Sequence, residues 1–275
     1  MAWRSSGSSN EALVENLWKH GLLTSPAVKE AFLRVDRAHY APASPYEDSP
    51  QPIGHSATIS APHMHANAVE ALLECVVPSI QGGATSRRPR RVLDIGSGSG
   101  YLTHVLAELA GEDGVVVGVE HIEALKELGE RNMAKSPEGR ALLESGRCRF
   151  RVGDGRKGWV EPSPREGLPP VGGHAGAVAA QSGTSAQDGS EHEAGGWDAI
   201  HVGAAAEELH EELVRQLRAP GRMFIPVGGK DGWDQYIWTV DKDVEGNVTK
   251  TRGYGVRYVP LTDAPGAVGK RIGEL

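Results

Sequence analysis

Arg91-Val92-Leu93-Asp94-Ile95-Gly96-Ser97-Gly98-Ser99-Gly100-Tyr101 decides the fold. Val92–Ile95 is a short apolar run, Gly96–Gly100 is a turn with glycine at every second position, and Tyr101–Ala110 has helical character. Downstream the pattern repeats: an apolar strand at Val115–Glu120, a helix at Ile122–Ala134, and strands at Cys148–Val152, Asp198–Val202 and Arg222–Val227, with a helix at Glu207–Leu217 closed by Ala219-Pro220-Gly221. A strand such as Val115–Glu120, apolar throughout, is expected to be buried on both faces. Strands alternating with helices predict an α/β fold, a doubly wound and mostly parallel sheet with helices on both faces. Asp234–Val240 and Asn247–Tyr258 read as added antiparallel strands.

Upstream lies an N-terminal helical part, residues 1–80. Ser9 caps a helix over Asn10–His20 that ends at Gly21, and Ser25-Pro26 opens a second running to about Arg34. The Pro-rich stretch Ala41–Pro52 reads as an extended loop, and Pro62 opens a third helix running to about Val77. Residues 91–160 and 197–263 build the sheet. Between them, residues 162–196 are Gly, Ala, Ser and Pro with few large aliphatics, a composition that reads as a disordered insertion. The strand at Asp198 belongs to the same sheet as Val92–Ile95, so residues 1–275 read as one domain.

Composition narrows the function classes. The net charge of −7 and pI near 5.9 argue against a nucleic-acid footprint. Arg87, Arg88, Arg90 and Arg91 cluster, but just before a strand, where a solvated basic loop is expected. Cys75 and Cys148 sit among apolar neighbours and form no CxxC, so buried reduced thiols are expected, with no metal site. No charged-then-apolar leader opens the chain and no apolar run approaches membrane-spanning length, which reads as a cytoplasmic protein without a membrane partner.

The glycine turn opens a helix directly after a strand, the place where doubly wound sheets bind ligands. A dinucleotide fingerprint requires a third glycine where Tyr101 stands. GxGxG with Asp94 two residues before Gly96 is instead the pattern of S-adenosylmethionine methyltransferases. Two further acids fit that cofactor. Glu120 ends the second strand, where a carboxylate accepts both ribose hydroxyls. Asp154, in Val152-Gly153-Asp154-Gly155, follows the next strand within reach of an adenine amino group. Each acid alone is equally a turn former.

Ser60 and Ala61 precede Pro62 at the start of the third helix, where free N–H groups and the positive end of the dipole can hold a carboxylate. Ser60 is equally an ordinary N-cap there. At about 100° per residue His63 falls on the polar face of that helix and His65 on the apolar one. His63 is therefore expected to face solvent, and His65 to point inward as a core residue or a cofactor contact. The two do not face each other, so they do not form a metal site.

Asp48–Gly54, Ala57-Thr58-Ile59-Ser60-Ala61-Pro62-His63-Met64-His65-Ala66, Asp94–Gly100, Val152–Arg156, Asp198–Ala206 and Val259–Asp263 together resemble the protein-L-isoaspartate (D-aspartate) O-methyltransferases, nearest their animal-type cytosolic form. The resemblance covers nearly the whole chain outside 162–196, and the Ala57–Ala66 block is its most specific part. It implies a Rossmann-like methyltransferase fold and S-adenosylmethionine as cofactor. It further implies methyl esterification of L-isoaspartyl, and possibly D-aspartyl, residues in damaged proteins by a monomer. Ser60 is then the catalytic residue, and Ala57, Thr58, Ile59, Ser60, His65, Ser99, Glu120, His121, Asp154, Gly155 and Thr262 surround the cofactor with the turn residues Asp94, Gly96, Ser97, Gly98 and Gly100. The tail Ala264–Leu275 lacks the polar and aromatic residues that often end the animal-type form. A small-molecule methyltransferase would keep the three acids without needing Thr58-Ile59-Ser60. A non-catalytic adaptor would keep cofactor binding without turnover.

Overall fold

The computed structural model describes residues 2–78, 88–161, 196–228 and 234–262. Nearly all of the 162–196 segment, Arg87 and the tail from Asp263 lie outside them. The helices are α1 (Asn10–Lys19), α2 (Pro26–Arg34), α3 (Pro62–Val76), α4 (Tyr101–Leu109), α5 (Glu123–Met133), α6 (Pro137–Glu144) and α7 (Glu211–Gln216). The strands are β1 (Gln51–Gly54), β2 (Ala57–Ile59), β3 (Arg91–Ile95), β4 (Val115–Glu120), β5 (Cys148–Val152), β6 (Trp197–Val202), β7 (Leu217–Gly228), β8 (Gln235–Lys242) and β9 (Val248–Val256). β1 and β2 form a small antiparallel hairpin, and the other seven form one sheet in the order β5-β4-β3-β6-β7-β8-β9. Its first five strands are parallel, while β8 and β9 return antiparallel. The doubly wound architecture read from the sequence is the one observed.

Strand periodicity sorts the core into two clusters. Val92, Val116, Ala199 and Phe224 point to one face with the apolar stripes of α1–α6, and Leu93, Val117, Ile200 and Met223 point to the other. Helices are thus unequally shared: α7 alone among the described helices joins the second face, where Trp159 and Leu261 complete the packing.

Several local readings need correction. The expected loop over Ala41–Pro52 gives way at Gln51 to the β1–β2 hairpin, turned by Gly54, His55 and Ser56, all at positive φ. The helix read over Glu207–Leu217 shrinks to Glu211–Gln216, because Ala205 and Ala206 are drawn into bridges with Pro260 and Val227. Ala219-Pro220-Gly221, read as a stop, lies inside β7. The register with β6 jumps from Trp197↔Leu217 to Ala199↔Arg222, so the missing proline N–H falls in an irregularity of the ladder. α6 was not anticipated, although Ser136 caps it by accepting from the Gly139 N–H. Of the arginines read as a solvated loop, Arg87 lies outside the described residues and Arg88 is exposed, but the others described are engaged with the sheet. Arg88 and Arg90 pair with Asp198, and the Arg91 guanidinium stacks on Trp197. Cys148 is buried as expected, whereas Cys75 is half-buried, and both are free thiols.

Candidate active site

The strand order reverses between β3 and β6, so the loops after these strands diverge and leave a crevice at their carboxyl ends. The turn after β3 lies on one side. Gly96, Gly98 and Gly100 all have positive φ, a conformation that glycine adopts without steric cost. Gly100 is needed twice, since a Cβ there would come within 3.0 Å of Gly129 and 3.1 Å of Phe150, preventing α4 and α5 from approaching. The turn is pinned to its neighbours by backbone bonds: Gly96 N–H donates to the Val119 carbonyl, and Gly203 N–H to the Ile95 carbonyl.

Glu120 belongs to this turn. Its carboxylate is buried, with Oε2 accepting from Gly98 N–H at 3.1 Å and Oε1 from the N–H groups of His121 and Ile122 at 2.8 and 3.1 Å. His121 Nδ1 lies 3.0 Å from Oε1. Ser99 is buried beside Tyr101, and Ser97 Oγ is buried without a hydrogen-bond partner. Asp154 and Gly155 follow β5. The Asp154 carboxylate takes two bonds from Arg156, at 2.8 and 2.9 Å, and these hold it below the usual carboxylate range. Gly155 packs so closely on Ile95 that a Cβ would lie 2.2 Å from its Cγ2. Thr262 is exposed, carried beside the segment after β6 by the Leu261 N–H to Ala205 carbonyl bond. Asp94 is placed differently. Thr103 and His201 take up both its oxygens, at 2.5 and 2.7 Å, so its side chain braces the turn from inside.

On the other side of the crevice, Thr58, Ser60, Pro50, Met64, Gly203 and the run Arg257–Val259 line a cavity of about 210 Å³. The N-cap of α3 is Ala61, not Ser60, and the side chain that meets a free N–H of its first turn is Asp48, which accepts from His63. The Ser60 hydroxyl is therefore left out of helix capping and opens on the cavity. Ala57 is half-buried, and the Ile59 side chain is buried and anchors the hairpin in the core.

The two histidines separate as their helical phase requires, with one correction. His65 is buried, its ring 5.2 Å from that of Tyr101. His63 is not simply solvent-facing: Asp48 Oδ1 accepts from both its backbone N–H and its Nδ1, at 2.9 and 2.8 Å. The sequence reading missed Arg37, Asp48 and the Arg257–Val259 wall. Asp48 stood within a quoted stretch, but Arg37 carried no motif, and only packing brings it to Ser60. Among the described residues no group of three or more His, Cys, Asp or Glu converges on a metal position.

The site suits a bulky, charged ligand. A turn with glycine at every second position, a buried carboxylate beside it and the unpartnered Ser97 hydroxyl offer backbone, charge and hydrogen-bonding contacts in one place. A family model described as protein-L-isoaspartate(D-aspartate) O-methyltransferase matches residues 8–171 and 174–266. The chain is 39% identical over 262 residues to the protein-L-isoaspartate O-methyltransferase of Caenorhabditis elegans, covering 95% of this chain and 96% of that one. It is 38% identical over 255 residues to that of Triticum aestivum, covering 92% and 91%. A Plasmodium falciparum structure of the same description, in complex with S-adenosyl-L-homocysteine, aligns with a TM-score of 0.70 at 28% identity, covering 93% of this chain and 99% of that one.

Proposed function

The chain belongs to the protein-L-isoaspartate(D-aspartate) O-methyltransferase family and is an S-adenosylmethionine-dependent methyltransferase, and from that premise we propose how its residues divide the work. The glycine turn Gly96–Gly100, Ser97, Ser99, Glu120, His121, Asp154, Gly155, His65 and Thr262 hold the cofactor, with Ala57–Ser60 at its reactive end. Asp94 acts through the turn it braces. Residues 1–275 work as one domain, and isoaspartyl-containing peptides and proteins are the partners. When bound, S-adenosylmethionine supplies an activated methyl group on a sulfonium sulfur.

The accepting group needs no base. The α-carboxyl freed in an isoaspartyl residue has a reference pKa of about 3.3–3.7 and is ionised at neutral pH. What the protein must supply is orientation, which in favourable cases lowers a barrier by roughly 7–11 kcal/mol. The Ser60 hydroxyl donates to one carboxylate oxygen and aims the other, and the cationic side chain of Arg257 favours an anion in the same cavity. An ordinary aspartyl side chain ionises almost as readily. Selectivity therefore rests on the kinked backbone of the isomer, read by the cavity wall of Gly203, Tyr258 and Val259.

The observation that carries this reading is the Ser60 hydroxyl, which opens on the cavity and caps no helix. Its test is methyl transfer from labelled S-adenosylmethionine to matched isoaspartyl and aspartyl peptides, by the wild-type chain and by Ser60→Ala. The isoaspartyl peptide should be methylated and the aspartyl one not. Ser60→Ala should lose most of the rate while its melting temperature and cofactor affinity stay close to wild type, and Ser60→Thr should keep part of the activity. A Ser60→Ala variant working at the parental rate would remove Ser60 from the mechanism.

A further inference from the structure

Arg37 lies between α2 and the start of α3 and is wholly buried, an expensive place for a cation; its Nε has no hydrogen-bond partner, and its two terminal nitrogens carry its polar contacts. Its Nη2 donates to the Ser60 carbonyl at 2.7 Å, and its Nη1 lies 3.3 Å from Nδ1 of His65. The guanidinium carbon sits 5.1 Å from the centre of the Tyr101 ring, the first residue after the glycine turn. Asn10 Oδ1 accepts from the Arg37 backbone N–H, tying the arrangement to α1. One side chain thus touches the reactive segment, the inward histidine and the start of α4.

A guanidinium can only donate hydrogen bonds. Its contact with His65 therefore requires a lone pair on Nδ1, which puts the single proton of the neutral ring on Nε2. We propose that Arg37 is a positioning residue for methyl transfer: it fixes the backbone that presents Ser60 and locks His65 as the neutral Nε2–H tautomer, a donor held ready for the cofactor or substrate. The proposal rests on the placing of Ser60 and His65 in the site. The charged and titratable groups around His65 are Arg37, Tyr101, His201 (held by Asp94) and His63 (held by Asp48). Burial first, and then Arg37, hold His65 well below the usual histidine range, so it stays neutral. Burial lowers Arg37 itself to about 10, which leaves it charged at neutral pH.

The test begins with the wild-type protein, where long-range proton–nitrogen correlation on histidine-labelled chain reads the His65 tautomer, assigned with His65→Gln. A neutral Nε2–H ring at pH 7 is expected, and an Nδ1–H ring or an imidazolium would overturn the proposal. Arg37→Met should give mixed tautomers and a kcat about 10–100-fold lower, the scale of loss from small misplacements, with a lesser change in the peptide KM. Arg37→Lys should recover part of that rate. If Ser60→Ala is slow while folded Arg37→Met turns over at the parental rate, the clamp has failed and the Ser60 reading stands. If both work at the parental rate, the Ser60 reading itself has failed and the clamp with it. Should Arg37→Met not fold, the wild-type tautomer decides.

Discussion

Glu120 spends three of its acceptor positions on the N–H groups of Gly98, His121 and Ile122, so its carboxylate is fixed before any ligand arrives. A pre-oriented carboxylate at the end of β4 is suited to bind neighbouring hydroxyls without first paying the entropy of ordering itself. Glu120→Gln keeps the size and one acceptor oxygen but removes the charge. Its affinity for S-adenosylhomocysteine should fall by roughly 10–160-fold by calorimetry, following the 1.5–3 kcal/mol typical of a hydrogen bond to a charged group. Unchanged affinity in the folded variant would mean that Glu120 serves the turn alone. The three acids were all legible in the sequence because each stands at or just beyond the carboxyl end of a strand. Their duties were not. Asp94 turns inward because Thr103, in the first turn of α4, and His201, its pairing partner on the adjacent β6, reach it first, and the second encounter depends on strand pairing between residues more than a hundred positions apart. The same holds for Arg37, whose partners Ser60 and His65 are brought to it by tertiary packing.

At the scale of elements, capping chemistry and periodicity carried most of what could be read. Ser9 before α1 and Pro26 at the start of α2 are signals within one turn of the element they announce. Ser136-Pro137 is the same signal at α6 and could have been read. The β1–β2 hairpin is different, since strands of four and three residues are too short to show a period. How α2 is held to α4 was also invisible. Tyr40 Oη meets His104 Nδ1 at 2.5 Å, and Glu108 lies 3.6 Å from the other ring nitrogen and 3.5 Å from Arg34. The His104 contact, helped by Arg34 and opposed by burial, holds the Glu108 carboxyl below its ordinary value of 4.5. A carboxyl depressed in the folded state stabilises it above the unfolded pKa, and that contribution is lost as pH falls through the folded value. Glu108→Gln should therefore be less stable than wild type at pH 7, by about 0.5–1 kcal/mol for such a partly exposed pair, with the difference shrinking below about pH 4.5. Urea unfolding of both proteins at pH 7 and near pH 3.5 measures it. A difference that stays constant with pH would locate the effect in packing.

Across the whole molecule, the two ends of the parallel strands do different work. The carboxyl ends carry the glycine turn, Glu120, Asp154 and the Ser60 cavity, while the amino ends carry a knot of charge around Asp198. That aspartate, the second residue of β6, is fully buried. It accepts from Arg88 at 2.5 Å, from Arg218 at 2.8 Å and from the Arg91 backbone N–H at 2.8 Å, with Arg90 at 3.7 Å. The knot joins the segment before β3 to β6 and to the start of β7, and so closes the sheet at the end remote from the chemistry. Sequence alone could show a cluster of arginines but not its anion, which lies some 107 to 110 positions away for Arg91 and Arg88. Asp198→Asn keeps the shape and removes the negative charge that the partly buried guanidinium groups share. Breaking a buried pair from one side typically costs about 3–5 kcal/mol. In a protein of this size each kcal/mol shifts the melting temperature by about 2–4 °C, so a fall of roughly 6–20 °C is expected. The active site should not register the change: well below its melting point, Asp198→Asn should methylate isoaspartyl peptide with wild-type kcat and KM and bind S-adenosylhomocysteine with wild-type affinity. Thermal melts beside steady-state kinetics at 20 °C test both halves. A stable variant would mean that the arginines are already satisfied by solvent. A folded variant with impaired kcat would mean that strain at the amino ends of the strands is transmitted along β3 and β6 to the turn that holds the cofactor.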